Sequence, residues 1–302
     1  MDNSVLYVSP SPHVRSSVTT RRIMLDVIIA LCPALIASVV IFGLRALLVV
    51  AFCVGACVLS ELLFEKIVKR KNTVGDLSAV VTGILLGFNL PVGIPLWQAA
   101  VGCIVAIVVV KQLFGGIGCN FANPAITARI VMMISFASSM SSFALKNDAT
   151  SSATPLSGGE MPTVWRLLIG DHSGSLGETC ALALIAGGVY LLARRVITWH
   201  TPVAFIGTAF VLSWAFGADP VQQILTGGII LGAIFMATDY ATTPSTSWGR
   251  IIFGVGCGVI TVLIRTFGSY PEGVSFSILF MNILTPLISA WTRKKPFGGV
   301  KQ

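Results

Sequence analysis

Long apolar stretches separated by short polar segments recur along the whole chain. Each stretch approaches the roughly 20 residues that an α-helix needs to cross the hydrocarbon core of a bilayer. The pattern therefore predicts an all-α polytopic membrane protein with about ten transmembrane helices. The predicted spans are residues 23–43, 46–66, 77–90, 96–113, 123–141, 178–193, 200–216, 221–238, 249–268 and 275–292. The third is short, ends at Asn89-Leu90-Pro91, and is expected to be broken or only half-buried.

No polar segment is long enough to form a separate soluble domain, so residues 1–302 are predicted to be one membrane domain. Its parts are a cytoplasmic tail (1–22), a first five-helix unit (23–141), an outer-face loop (142–177), a second five-helix unit (178–292) and a second cytoplasmic tail (293–302).

Short sequence matches favour an inverted repeat of the two five-helix units. The segment from Thr82 to Gly87 in the third span resembles that from Thr226 to Gly232 in the eighth. Val101-Gly102-Cys103 in the fourth span similarly resembles Val255-Gly256-Cys257 in the ninth. The matching segments are five spans apart, and an odd number of crossings per unit gives the two units opposite orientations.

Composition and charge support the membrane prediction. Apolar residues make up 55% of the 302 residues and charged residues 11%, whereas soluble domains contain about 25% charged residues. The net charge of +8 does not indicate a nucleic-acid partner, because the Lys and Arg residues, Lys111 among them, cluster at span ends in the positive-inside pattern. Their distribution favours a multi-pass protein with both termini in the cytoplasm and the loop 142–177 on the outer face.

The seven cysteines form no CxxC motif, and most lie inside apolar spans. They are interpreted as small buried apolar side chains. An iron–sulfur ligand at Cys119, beside a polar turn, is the alternative. We expect no disulfide framework and no metal site.

Two polar motifs beside predicted spans are candidate ligand contacts. The first runs from Gly115 to Ala125 and contains Asn120 and Asn123. Asn123 precedes a proline and could simply cap the fifth helix, or both amides could contact a ligand. The second contains Thr238 and Asp239 at the predicted inner end of the eighth span. Asp239 is either a boundary charge or cap, or a cation, proton or cofactor contact.

Acidic residues near the membrane are candidates for an ion path, because charges within it are costly and usually functional. Glu61 lies deepest among the carboxylates near the inner ends of the first two spans. Glu272, in an outer-face turn, is either a turn residue or part of such a path. The Ser- and Thr-rich run from Asp148 to Pro155 in the outer loop is either ordinary loop sequence or an attachment point for a phosphoryl-linked group.

These motifs together resemble a known family. Asp148-x-x-Ser151-x-Ala153-Thr154 resembles the sequence on which a flavin transferase attaches FMN through a phosphoester to the final Thr. The remaining motifs, in order and at fitting spacing, resemble the D subunit of Rnf complexes, which is akin to the B subunit of the sodium-pumping NADH:quinone reductase. These motifs are Gly118-x-Asn120-Phe-x-Asn123-Pro-Ala, Met236-Ala-Thr-Asp-Tyr-x-Thr-Thr-Pro244, Gly256-Cys-Gly258, Tyr270-Pro-Glu-Gly273 and Met281-Asn-Ile-Leu-Thr-Pro286.

The resemblance implies two flavins, FMN attached to Thr154 and a noncovalent riboflavin within the helix bundle. Cofactor contacts are then expected from Asp148, Ser151, Ala153, Pro155, Asn120, Asn123, Thr238 and Asp239. One departure is Ser152, which stands where the attachment motif usually has Gly. Ser is also small, so attachment is still expected.

The resemblance further implies a subunit of an ion-translocating ferredoxin:NAD⁺ oxidoreductase in a bacterial inner membrane, which is not catalytic alone. Expected partners are Rnf subunits of the A, B, C, E and G types, a flavin transferase, Na⁺ or H⁺, and lipid. Glu61, Asp239 and Glu272 are the expected ion-path residues. The alternatives are a solute channel or transporter without a redox cofactor, the quinone-reducing relative, and a structural scaffold.

Overall fold

The structure is a computed structural model that describes residues 18–70, 72–143, 163–170, 172, 174–178, 180–268 and 273–293. Within these ranges, every secondary-structure element of three or more residues is helical. The helices are α1 (Thr20–Phe42), α2 (Leu44–Val68), α3 (Ser78–Phe88), α4 (Leu96–Ile104, continued as a π-helix over Val105–Gln112), α5 (Pro124–Ser135), α6 (Ala137–Met140), α7 (Val164–Ile169), α8 (Ala181–Ala193), α9 (His200–Ala215), α10 (Pro220–Leu225), α11 (Ile229–Leu231, continued as a π-helix over Gly232–Met236), α12 (Ser247–Phe267) and α13 (Val274–Thr292), with a 3₁₀ turn at Val74–Asp76.

Four of these helices, α1, α2, α12 and α13, are long and apolar enough to cross a membrane by length and composition. Five shorter apolar helices accompany them: α3, α4 with its π continuation, α5, α8 and α9. These nine helices are consistent with the predicted all-α polytopic membrane protein. The count of ten spans and the inverted repeat stay predictions.

The third and fifth predicted spans correspond to helices too short to cross a bilayer on their own. The third is confirmed as short, because α3 has 11 residues and is about 16 Å long, roughly half of a ~30 Å hydrocarbon core. The fifth was predicted to run over 123–141 but ends at Ser135, where Phe136 leaves helical geometry and only the short α6 follows. In addition, α7 lies within the segment 142–177 that was predicted to be a loop.

The eighth predicted span is interrupted, so the prediction of one helix over 221–238 is wrong. Helix α10 ends at Leu225, and the next helical residues begin at Ile229. Gly227 and Gly228 between them have φ angles of 63° and 73°, in the left-handed region that favours glycine because it has no Cβ. The second half ends at Met236.

The distribution of buried side chains is that of a protein in lipid. Large apolar side chains such as Ile36, Val40 and Ile67 point outward and are largely exposed. Charged side chains such as Glu61 and Lys111 are instead buried within the bundle. Because lipid tails are as apolar as Leu, outward apolar side chains are favourable there, and polar groups gain by pairing inside.

Small residues allow the helices of this bundle to approach closely. A Cβ at Gly83 of α3 would lie 2.6 Å from Cα of Val54 in α2, and one at Gly258 of α12 would lie 2.7 Å from Cβ of Thr208 in α9. Contacts also join the two predicted five-helix units, since α1 packs against α8 and α5 against α13. The bundle core is therefore shared between both halves of the sequence.

Candidate functional site

A cleft between the two halves contains the four predicted cofactor contacts that lie outside the loop 142–177. Asn120, Asn123, Thr238 and Asp239 line it, although the first two come from a different part of the sequence than the last two. The space between its walls is about 770 Å³ and includes solvent at its open side. Apolar side chains form most of its walls, among them Ile23, Val27, Val81, Leu85, Ile197 and Phe235.

Asn123 joins the two polar motifs that line the cleft. Its Oδ1 accepts hydrogen bonds from the backbone N–H groups of Ala125 (3.1 Å) and Ile126 (3.3 Å), which confirms the interpretation as the N-cap of α5. Its Nδ2 donates to the carbonyl of Met236 at 3.2 Å. The side chain of Asn123 is therefore already engaged, and it shapes the cleft by positioning backbone.

Asn120 has a different environment from Asn123. It lines the cleft, and its Oδ1 is buried without a hydrogen-bond partner among the described residues. A buried acceptor without a donor is costly. A ligand N–H group at the wall of the cleft would satisfy it.

Thr238 and Asp239 follow the π-helical turn that ends at Met236. Asp239 was predicted at the end of a helix but lies in the connection to α12, where its Oδ2 accepts a hydrogen bond from Thr242 Oγ1 at 3.1 Å. Desolvation by burial raises the pKa of the Asp239 carboxyl above its ordinary value, while hydrogen bonds from Ala241 N–H and Thr242 act in the opposite direction. Thr238 Oγ1 donates to the carbonyl of Ile234 at 2.6 Å.

The residues of the cleft fit a flavin. An isoalloxazine is a flat, largely apolar ring system with one polar edge that carries an N–H donor and carbonyl acceptors. The apolar walls suit the ring, and the unsatisfied Oδ1 of Asn120 suits the N–H group. Thr238 and Asp239 add polar groups to the lining.

Next to the cleft lies a buried ion pair between Lys111 and Glu61. Lys111 Nζ lies 2.7 Å from Glu61 Oε1, and the two side chains are 3% and 0% exposed. Lys111 also donates to Ser78 Oγ at 2.6 Å, and Gln112 Nε2 donates to Glu61 Oε1 at 2.6 Å. Lys111 and Ser78 both line the cleft. The predicted ion-path residue Glu61 is therefore joined to the cleft through Lys111.

Lys111 lies near the end of the fourth span, as predicted, but the burial of its side chain was not predicted. The charge pattern counts it among the positive charges at the inner ends of spans, and the structure buries its side chain within the bundle. The signal that could have identified it is its position directly after the run Val108-Val109-Val110, since a charge within an apolar helix requires a partner.

A second buried ion pair, Arg129 with Glu178, was missed entirely. Arg129 Nη1 lies 2.9 Å from Glu178 Oε1 and donates to Asn89 Oδ1 at 2.6 Å. Asn89 is the C-cap of α3. A Cβ at Gly228, in the break between α10 and α11, would lie 2.6 Å from Glu178 Oε1. The pair therefore links the ends of two helices that stop inside the bundle.

Several predicted site residues lie outside the described residues. They are Asp148, Ser151, Ala153, Thr154, Pro155 and Glu272. Their predicted roles in FMN attachment and in an ion path stay predictions. Among the described residues, which include Cys119, no group of three or more His, Cys, Asp or Glu side chains is arranged to hold a metal ion.

Comparison with known proteins gives consistent matches over the whole length. The model of the NQR2, RnfD, RnfE family matches residues 7–298. The chain is 45% identical to the D subunit of the Na⁺-translocating ferredoxin:NAD⁺ oxidoreductase complex of Acetobacterium woodii, covering 100% of this chain and 98% of the relative. It is 39% identical to the D subunit of the proton-translocating ferredoxin:NAD⁺ oxidoreductase complex of Clostridium ljungdahlii (98% and 97% covered) and 33% identical to the D subunit of the ion-translocating oxidoreductase complex of Escherichia coli (97% and 99%).

Proposed function

Because the chain belongs to the NQR2, RnfD, RnfE family, we propose that it is the membrane electron-transfer subunit of an ion-translocating ferredoxin:NAD⁺ oxidoreductase complex. It relays electrons through FMN on Thr154 and a second flavin, riboflavin, in the cleft, and couples this transfer to the movement of Na⁺ or H⁺. It acts only with the other subunits of the complex. The observation that carries the proposal is the cleft, where Asn120, Asn123, Thr238 and Asp239 lie together.

Bound flavin supplies one- or two-electron redox chemistry, and the protein tunes it through hydrogen bonds and nearby charge. In this chain, the apolar walls around Phe235 would exclude water from a bound ring, and Asn120 would orient its polar edge. Asn123 fixes the wall by tying the start of α5 to Met236. Lys111 places a positive charge beside the cleft.

The ion is not determined by similarity alone. The relatives from Acetobacterium woodii and Clostridium ljungdahlii are named for Na⁺ and for proton translocation, respectively. Either ion suits the buried carboxylate of Glu61, because a monovalent cation can compensate its charge. Both termini of the chain are proposed to lie in the cytoplasm of a bacterial cell, with residues 142–177 on the outer face.

The first experiment tests covalent attachment. The Thr154→Val variant should lose the flavin fluorescence of the chain in a denaturing gel, and the tryptic peptide that spans residue 154 should have its unmodified mass. Thr150→Val removes a hydroxyl from the same segment and should keep the fluorescence. A wild-type peptide without added mass would refute attachment at Thr154 and would favour a solute transporter without a redox cofactor.

A further inference from the structure

The buried cluster beside the cleft is larger than the pair of Lys111 and Glu61. Glu65 accepts hydrogen bonds from the N–H and the hydroxyl of Thr73, and Thr73 Oγ1 also lies 3.4 Å from Glu61 Oε1. Arg70 donates to the carbonyl of Gln112 at 3.1 Å. The two carboxylates of α2 are therefore joined through Thr73, and one of them, Glu61, contacts Lys111.

One carboxylate oxygen of Glu61 is open to a further ligand. Its Oε2 is buried and has no hydrogen-bond partner within the part of the chain that the structure describes. Its Oε1, in contrast, receives hydrogen bonds from Lys111 and Gln112. A fully buried carboxylate with one unsatisfied oxygen is a costly arrangement, and a cation at that oxygen would remove the cost.

The position of Lys111 indicates what controls such a ligand. Its ammonium group has one partner on each side, Glu61 at 2.7 Å and the hydroxyl of Ser78 at 2.6 Å, and Ser78 lines the cleft. The residue lies in the π-helical continuation of α4, a geometry that frequently occurs at functional sites. A flexible four-carbon side chain allows the ammonium to shift between the two sides.

We propose that Lys111 couples the charge in the cleft to cation binding at Glu61. This inference rests on the proposed function, because it requires an electron acceptor in the cleft. When the preceding electron carrier of the complex delivers one electron there, Lys111 is drawn from Glu61 towards the cleft. Glu61 then takes up one Na⁺ at its carboxylate, or one proton, which forms an O–H bond.

The charges balance at each step. Before transfer, Lys111 neutralises Glu61, and after transfer it neutralises the added electron while the incoming cation neutralises Glu61. When the electron passes to the next carrier, Lys111 returns to Glu61 and the cation is released. One cation is thus bound for each electron that enters the cleft, which is the exchange that an ion-coupled electron relay requires.

The test uses the assembled complex and measures how the midpoint potential of the noncovalent flavin depends on cation concentration. In the wild type, a tenfold change in Na⁺, or in H⁺ if that is the ion, should shift the potential by about 59 mV, the value for one cation per electron. Lys111→Met should abolish this dependence, and Lys111→Arg, which keeps the charge, should retain it. Lys66→Met removes an exposed cation from the same helix as Glu61 and should leave the dependence unchanged.

A second measurement does not require flavin. In oxidised Lys111→Met, Glu61 lacks its cation, so Na⁺ or acid should raise the melting temperature of the variant more than that of the wild type. The double variant Lys111→Met/Glu61→Gln carries neither charge and should show no such rise, which also controls for misfolding. Retention of the full cation dependence in Lys111→Met, or an identical response of the single and double variants, would overturn the proposal. Absence of noncovalent flavin from the wild type would refute the proposed function instead, and the melting measurement would still decide the role of Lys111.

Discussion

The ion pair of Arg129 and Glu178 gives a direct test of whether the bundle depends on buried charges. Arg129→Met removes the guanidinium and keeps an extended side chain of moderate size. The carboxylate of Glu178 then loses its cation at 2.9 Å, in surroundings where its side chain is 3% exposed. Asn89 Oδ1 loses a donor at 2.6 Å in the same substitution.

The expected cost follows from this burial. Removing one partner of a buried ion pair destabilises a protein by about 3–5 kcal/mol, because the other charge remains uncompensated. The conversion known for domains of 150–250 residues, about 2–4 °C per kcal/mol, gives a fall in melting temperature on the order of 10 °C. Arg129→Met/Glu178→Gln should recover much of this loss, since replacing both charges of a buried pair is often neutral.

The assay is thermal denaturation of the purified protein in detergent, followed by the loss of the monodisperse peak in size-exclusion chromatography. Arg194→Met is the matched control, because Arg194 lies 3.3 Å from Asp26 but is 42% exposed. Because solvent screens the exposed guanidinium of Arg194, and Asp26, although 9% exposed, keeps a hydrogen bond from Tyr190, the control should lose less stability than Arg129→Met. Equal losses in Arg129→Met and Arg194→Met would refute the reasoning, as would a double variant less stable than Arg129→Met.

Two further predictions concern the cleft. Asn120→Ala should lower the noncovalent flavin content of the complex several-fold, measured after acid release, because a single hydrogen bond to a buried ligand contributes about 1 kcal/mol or more; the exposed control Asn72→Ala should not change it. Asp239 has a raised pKa in the folded state, so its contribution to stability is present at low pH and is lost as pH rises from its ordinary value of 3.8 through the folded value. The Asp239→Asn variant should therefore lose less stability than the wild type as pH rises through this range. Thermal melts at a series of pH values measure this, and an identical pH dependence of the melting temperature in both proteins would contradict the raised pKa of Asp239.

Local signals in the sequence predicted much of the fold. Apolar length located α1, α2, α12 and α13 within a few residues of their bounds. The sequence Asn123-Pro124 predicted the start of α5, because an Asn cap and a proline at the first helical position are both local features. The conformation of residues held by such short-range interactions can be predicted from one continuous stretch of sequence.

The helix break and the ion pairs depend on residues far apart in the sequence. Gly227 and Gly228 interrupt the eighth predicted span, and only the approach of Glu178 shows why a side chain at residue 228 would not fit. Lys111 resembles a boundary charge until α2 places Glu61 beside it. These interactions were missed because a pairing partner 50 or so residues away leaves no periodic signal of its own.

The two kinds of residue have separable roles. Asn120 and Thr238 line the cleft, so substituting them is predicted to change how much cofactor is bound. Lys111 and Glu61 set the charge beside the cleft, so substituting them should change what accompanies an electron without removing the cofactor. Since coupling between contacting residues is non-additive whereas distant sites add, effects of Lys111 and Glu61 substitutions on cation dependence should not add. Effects of Asn120 and Glu61 substitutions should add. This contrast separates cofactor binding from the coupling of electron transfer to cation binding within one subunit.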